Sequence, residues 1–155
     1  MNPNEALLHT FYTCFRNADI TGMQACYHDE AVFNDSIFSN LTGDEVKAMW
    51  AMLITGAKDM QVNFGSIHAD DLSGSAHWEA VYTFSSTGNK VINKIDGSFT
   101  FKDGKILRHS DHFDFYTWAK QAFGLTGILI GWTSFFKRKV KGQAQQRLKK
   151  YMSHT

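Results

Sequence analysis

Apolar positions along the chain keep a helical period at first and then change to an alternating one. Leu7, Leu8, Phe11, Tyr12 and Phe15 recur at helical spacing, which predicts an amphipathic helix over residues 4–17, capped by Asn2 or Asn4 and tolerating Pro3 near its start. A second short helix, capped by Asp19 or Thr21 and turning Met23, Cys26 and Tyr27 inward, precedes the extended AVFND at 31–35. TGDE (42–45) places acids where a helix N-terminus favours them, and the helix it opens buries Val46, Met49, Trp50, Leu53 and Ile54. From there MQVNFGSIH (60–68), SAHWEAVYTF (75–84), KVINKIDGSFTF (90–101) and KILRHSDHFDF (105–115) alternate as strands, separated by the hairpin signals DDLSG, SSTGN and KDG. A last helix begins after Thr133 or Ser134 and aligns Phe136, Val140, Ala144, Leu148 and Tyr151. Helices followed by antiparallel strands is the α+β order, with helices packed on the concave side of a strongly bent antiparallel sheet. Such a sheet makes a cone, whose mouth is a natural ligand site.

Composition narrows the class. At 155 residues the chain has the size of one domain, here a cone core over 1–115 with a C-terminal flap and basic helix over 116–155. With 43% hydrophobic and 14% aromatic residues it can line a cavity as well as fill a core. Cys14 and Cys26 have no metal-like spacing and read as buried free thiols. The N-terminus lacks a secretory pattern, and the apolar run at 125–136 is too short and glycine-interrupted to span a bilayer, so a soluble protein is expected, and the free thiols fit a reducing cytoplasm. Charge is uneven: residues 1–114 carry all 15 acids and a balance of −7, whereas 115–155 hold 8 bases and no acid.

Candidate chemistry concentrates in ILRHSDHFDFYTW (106–118). On a strand, Leu107, His109, Asp111, Phe113 and Phe115 share one face, setting a His and a carboxylate into an apolar wall; Arg108, Ser110, His112 and Asp114 share the other. An inward carboxylate is costly unless paired, so His109 and Asp111 form either a site or a structural ion pair. Periodicity in 90–101 puts Lys94, Asp96 and Ser98 in water and Ile95, Phe99 and Phe101 in the core. Asp35 reads by itself as a turn acid after a strand. No His, Cys or acidic spacing suits a metal ion, and the glycine motifs of nucleotide sites and the Gly-x-Ser-x-Gly of serine hydrolases do not occur, so neither metal nor cofactor is expected. The basic tail carries no nucleic-acid motif and reads first as the solvated side of a helix. FGLTGILIGW followed by bases resembles an interfacial membrane segment, although a flap over the cone or a dimer arm explains the same residues more simply.

YHDEAVFND, TGDEVKAMW and KIDGSFTFKDGKILRHSDHFD together resemble the nuclear transport factor 2-like superfamily, in its SnoaL-like branch of polyketide cyclases, ketosteroid isomerase and limonene epoxide hydrolase. The resemblance covers the whole chain and implies a small apolar organic ligand and cofactor-free acid/base chemistry of isomerase, cyclase/dehydratase or epoxide-hydrolase type. A non-catalytic binding module or scaffold of the same fold is the alternative. Asp35 matches the isomerase's general base and Asp96 its neutral oxyanion-hole acid, while Phe11 falls where that enzyme has a tyrosine, with Tyr12 adjacent. Lys94 and Asp96 followed by Asp111 resemble the hydrolase's acid–cation–acid set, while its tyrosine and asparagine fall on Phe33 and Asp35. On this reading His109 tunes a neighbouring acid, and Phe11, Tyr12, Phe33, Trp50, Trp78 and Phe113 contact ligand. The polar set of 94–100 then lines the cavity, and Phe99 and Phe101 lie on the outer sheet face, where they imply a homodimer.

Overall fold

Helix α1 (Pro3–Arg16) starts where the Asn2 side chain accepts the Asn4 N–H at 2.8 Å, and it buries Leu8, Phe11, Tyr12 and Phe15. The structure, a computed structural model, describes residues 1–154. Asp19 caps α2 (Ile20–Ala25) through the Gly22 N–H at 2.9 Å. That helix is shorter than its periodicity suggests, because Cys26 already ends it and Tyr27 opens strand β1 (Tyr27–Asn34). After the two-residue β2 (Leu41–Thr42), Glu45 reaches back to the Thr42 N–H and hydroxyl and secures the first turn of α3 (Asp44–Gly56).

Four strands follow: β3 (Gln61–Ala69), β4 (Ser73–Thr83), β5 (Lys90–Lys102) and β6 (Lys105–His112). The sheet order is β2-β1-β6-β5-β4-β3. It is not wholly antiparallel as expected, since β1 and β6 pair in parallel; α3 and four strands intervene between them, so no hairpin forces them to oppose. Register breaks bend the sheet. In β3 the pairing slips between Gly65 and His68, with Ser66 at φ +51°. In β6, Phe101 pairs with Ile106 and Thr100 with Arg108, leaving Leu107 as the extra residue. That bulge turns Ile106 inward and leaves Leu107 half-buried, while His109 and Asp111 beyond it keep the predicted inward face.

Strand β6 ends at His112 rather than at residue 115, because the Asp114 carboxylate accepts the Tyr116 N–H at 3.0 Å and the Thr117 hydroxyl at 2.8 Å to cap helix α4 (Phe115–Phe123). Beyond the end of β6, the β5 segment 90–95 has no strand on that side. Gln121 of α4 fills the gap, accepting the Ile92 N–H at 2.8 Å and donating to its carbonyl at 3.0 Å. Helix α5 (Leu125–Ile130) and the Thr133-capped α6 (Ser134–Ser153) complete the chain. One apolar cluster joins α1, α3 and the concave sheet face; a second joins Val91 of β5 to Trp118 of α4 and Phe136 and Val140 of α6.

The orientation of β5 is the main correction. Val91, Ile95 and Phe99 are buried whereas Lys94, Asp96 and Ser98 are exposed, so the alternation decides the face and the implied inversion does not occur. Phe101 is half-buried against the core. The aromatic patch that would have supported a dimer through the outer sheet face is therefore absent from it, and charged groups such as Lys94, Asp96 and Glu79 occupy that side.

Candidate functional site

Between the concave sheet, α3, α4 and α6 lies a cavity of about 730 Å³, walled chiefly by aromatic, methionine and aliphatic side chains. Its polar lining includes two carboxylates, Asp35 and Asp111, and two cations from α6, Arg147 and Lys150. Asp35 follows the last residue of β1, in a tight turn where its Oδ1 accepts the N–H groups of Ile37 at 2.7 Å and Phe38 at 2.6 Å. Burial pushes its pKa from 3.8 up to about 6; the two backbone N–H bonds oppose the rise, and the charge of Asp111 adds to it. Asp35 is thus a carboxyl that changes protonation close to neutrality.

Asp111, 3% exposed, ends a chain of hydrogen bonds that runs through the core. Trp50 Nε1 donates to the Tyr27 hydroxyl at 2.8 Å, Tyr27 Oη lies 2.7 Å from His109 Nδ1, and His109 Nε2 lies 2.9 Å from Asp111 Oδ1. An indole can only donate, so the Tyr27 oxygen is already an acceptor. The assignment that uses every proton has Tyr27 O–H donating to Nδ1 and His109 Nε2–H donating to Asp111. Trp78 Nε1 adds a longer contact to the same Asp111 oxygen at 3.4 Å. Local folding explains the arrangement. His109 pairs across β6 with Phe33 of β1 and Phe99 of β5, whose rings lie 5.0 and 4.3 Å from its own and exclude water from it. Opposite Asp111 stands Gly97, where a Cβ would come within 3.0 Å of Asp111 Oδ1 and 3.1 Å of the Tyr12 hydroxyl. That hydroxyl is buried without a hydrogen-bond partner among the described residues, and burial followed by the nearby Asp111 raises its pKa well above the usual phenol value.

Of the residues expected at the site, Asp35, Asp111, Trp50, Trp78 and Phe113 line the cavity. His109 stands behind Asp111, fully enclosed. Phe11, Tyr12 and Phe33 are completely buried and do not face the cavity; Phe11 and Phe33 instead surround His109, at ring separations of 5.7 and 5.0 Å. Lys94 and Asp96 are not gathered at all. Asp96, with its side chain 79% exposed, lies 2.8 Å from His77 Nδ1 on the outer face, and Glu79 lies 2.9 Å from the other ring nitrogen. In KIDG it is the glycine, not the acid, that serves the site.

Tyr82 was not anticipated. It lines the cavity and accepts a hydrogen bond from Trp118 Nε1 at 2.9 Å, which leaves its own proton to be donated elsewhere. Burial chiefly raises its pKa, and Asp35 is close enough to add to the effect. Its inward position follows from alternation with Trp78 and Ala80; the Trp118 contact spans 36 residues and has no local signal. Helix α6 also supplies wall, through Val140, Ala144 and Arg147, whereas no residue of α5 lines the cavity.

The SnoaL-like domain family matches residues 8–109. The chain belongs to that family. Several solved structures share its nuclear transport factor 2-like fold. TerC, co-crystallized with polyporic acid, is 19% identical at a TM-score of 0.68, covering 79% of this chain and 100% of its own. An M. tuberculosis LEH-like epoxide hydrolase is 21% identical at 0.62, covering 83% and 96%. A Catenulispora acidiphila protein with a ketosteroid isomerase-like fold, in complex with trimethylamine, is 11% identical at 0.67, covering 82% and 96%. No curated protein matches the chain.

Proposed function

We propose that this SnoaL-like protein binds a small, largely apolar organic molecule and catalyses proton transfer on it without a cofactor. The observation carrying this reading is Asp35, a carboxyl held near neutral pKa by burial inside an apolar cavity. In its ionised form it removes a proton from carbon next to a ligand carbonyl. The Tyr82 hydroxyl, its oxygen engaged by Trp118, donates to the oxygen on which charge develops. Asp35, now protonated, returns the proton to a second carbon in an isomerisation; in a cyclisation the carbanion attacks another carbonyl, and Asp35 gives its proton to the alkoxide that forms. Asp111, locked to His109, keeps negative potential in the wall and helps hold the Asp35 pKa up. With Lys94 and Asp96 on the opposite face, neither the acid–cation–acid set of an epoxide hydrolase nor the oxyanion-hole acid of the isomerase is assembled from them, so the proposed chemistry rests on Asp35 and Tyr82. TerC, which shares the fold, was co-crystallized with polyporic acid, a small organic molecule.

The test does not require the natural substrate. Wild type and Asp35→Asn are incubated with a panel of aromatic and alicyclic ketones in deuterated water, and exchange at the carbon next to the carbonyl is followed by proton NMR. Asp35-dependent exchange, weakened in Tyr82→Phe, is expected; exchange equal in wild type and Asp35→Asn would remove the assigned base. A second reading, ligand binding without turnover, draws on the hydrogen-bond chain from Trp50 to Asp111 being satisfied internally, as a structural element would be. It predicts a single unaltered compound released on denaturing the native protein, with no exchange on the ketones it binds.

A further inference from the structure

Helix α5 is inserted the wrong way round for a surface helix. The residues it presses onto α4 are glycines: a Cβ on Gly127 would run into the Ala119 carbonyl, and one on Gly131 would meet the Ala119 side chain at 3.0 Å. Its large apolar residues point away from the fold. Leu125, Ile128, Leu129 and Trp132 follow at i, i+3, i+4 and i+7 and are 70, 49, 62 and 70% exposed, and Phe135 continues the patch at 66%. A contiguous apolar surface of this kind marks an interaction site.

Two further features define the occupant. The carbonyls at the end of α5 are engaged by side chains: Tyr116 Oη donates to Ile128 at 2.9 Å, Trp132 Nε1 to Leu129 at 3.0 Å and the Thr133 hydroxyl to Ile130 at 2.6 Å. The helix end can therefore leave water without stranding acceptors, and the Trp132 ring without stranding its donor. Charge is the second feature. Lys137, Arg138 and Lys139 follow the buried Phe136, one residue beyond Phe135; all three are exposed and free of carboxylate partners among the described residues, Lys137 lying over the Phe115 ring, in a segment (115–155) with eight bases and no acid. Symmetric pairing of two copies through this patch would bring two such segments together, so charge disfavours a second copy.

We propose that α5 and the first turn of α6 dock on an anionic phospholipid bilayer surface, with Leu125, Leu129, Trp132 and Phe135 entering the headgroup boundary and Lys137, Arg138 and Lys139 contacting lipid phosphates. Because α4, on which α5 sits, also walls the cavity through Trp118 and Phe123, the docking face and the ligand site share one helix.

The full chain is mixed with phosphatidylcholine vesicles with or without phosphatidylglycerol and assayed by co-sedimentation and tryptophan emission. The other three tryptophans are 2–7% exposed, so a blue shift reports Trp132. Sedimentation with the anionic vesicles only, weakened by salt, is expected. The double variant Leu129→Ser, Trp132→Ser should bind roughly tenfold more weakly or worse with an unchanged circular dichroism spectrum. Lys137→Gln, Arg138→Gln, Lys139→Gln should lose the preference for anionic lipid. No sedimentation with either vesicle, or equal binding by wild type and both variants, overturns the proposal. So does a wild-type dimer that ignores vesicles and is split into monomers by the Leu129 and Trp132 changes, which would assign the patch to a second copy.

Discussion

Replacing Asp35 by Asn separates the cost of the half-buried carboxylate from its chemistry. A carboxyl moved from 3.8 to about 6 by folding destabilises the native state by about 3 kcal/mol once fully ionised. The sign follows from proton counting. Below about pH 4 the carboxyl is largely protonated in both states and the penalty is absent; between about pH 4 and 6 the native state holds the proton more tightly, so stability falls as pH rises; above that window the penalty is complete. Asn keeps the Oδ1 that accepts the Ile37 and Phe38 N–H groups, so the turn is preserved. Its amide nitrogen meets a mainly apolar wall, which returns part of the gain. Asp35→Asn should therefore be more stable than wild type by about 1–3 kcal/mol at pH 7, or about 3–10 °C in Tm for a chain of this size. The advantage should vanish toward pH 4. Thermal and urea unfolding at half-unit steps from pH 4 to 8 measure it. A variant that is no more stable at pH 7, or whose difference from wild type does not change with pH, would refute the desolvation of Asp35.

Other consequences can be checked alongside. Tyr27→Phe strands the Trp50 N–H and the His109 Nδ1 in the core and should cost about 2–5 kcal/mol in urea unfolding; a loss below about 1 kcal/mol would mean the chain of hydrogen bonds is not formed. Gly97→Ala forces a methyl to about 3 Å from Asp111, Phe99 and Tyr12, and should destabilise by about 1–3 kcal/mol. On the outer face, hydrogen bonds that the His77 ring donates to the Asp96 and Glu79 carboxylates raise its pKa above 6.5. Its imidazolium contribution is present at low pH and lost as pH rises through the raised value, and NMR titration should show the midpoint falling in Asp96→Asn.

Much of the architecture is written locally. The caps at Asn2 and Asp19, the periodicity of α1 and α3 and the hairpin signals name their elements, because each depends on neighbours within a few residues. Most of what escaped depends on partners far along the chain; the Asp114 cap, bonded to Tyr116 and Thr117, was a local signal masked by the alternation around it. FDFYTW alternates like a strand, yet the Asp114 cap and Gln121 filling the open edge of β5 make it the start of a helix. The Leu107 bulge arises from pairing with β5 and changes which neighbours face inward. At the site, His109 and Asp111 were visible because the two-residue period and the resemblance put them on the same face. Asp96 and Lys94 were not, because resemblance and period disagreed and the period, which reports burial of Ile95 and Phe99, determined the face. Tyr82 could have been read from its alternation with Trp78, whereas the roles of Tyr27 and Trp50 require contacts spanning 82 and 23 residues.

The most direct measurement is the titration of Asp35 itself, followed through its carboxyl carbon by NMR in protein labelled at aspartate and assigned with Asp35→Asn. A midpoint near 6 that drops in Asp111→Asn is predicted, since burial and the neighbouring carboxylate both raise it. A midpoint at the ordinary aspartate value near 4, unaffected by Asp111, would place the carboxyl in water and contradict the account.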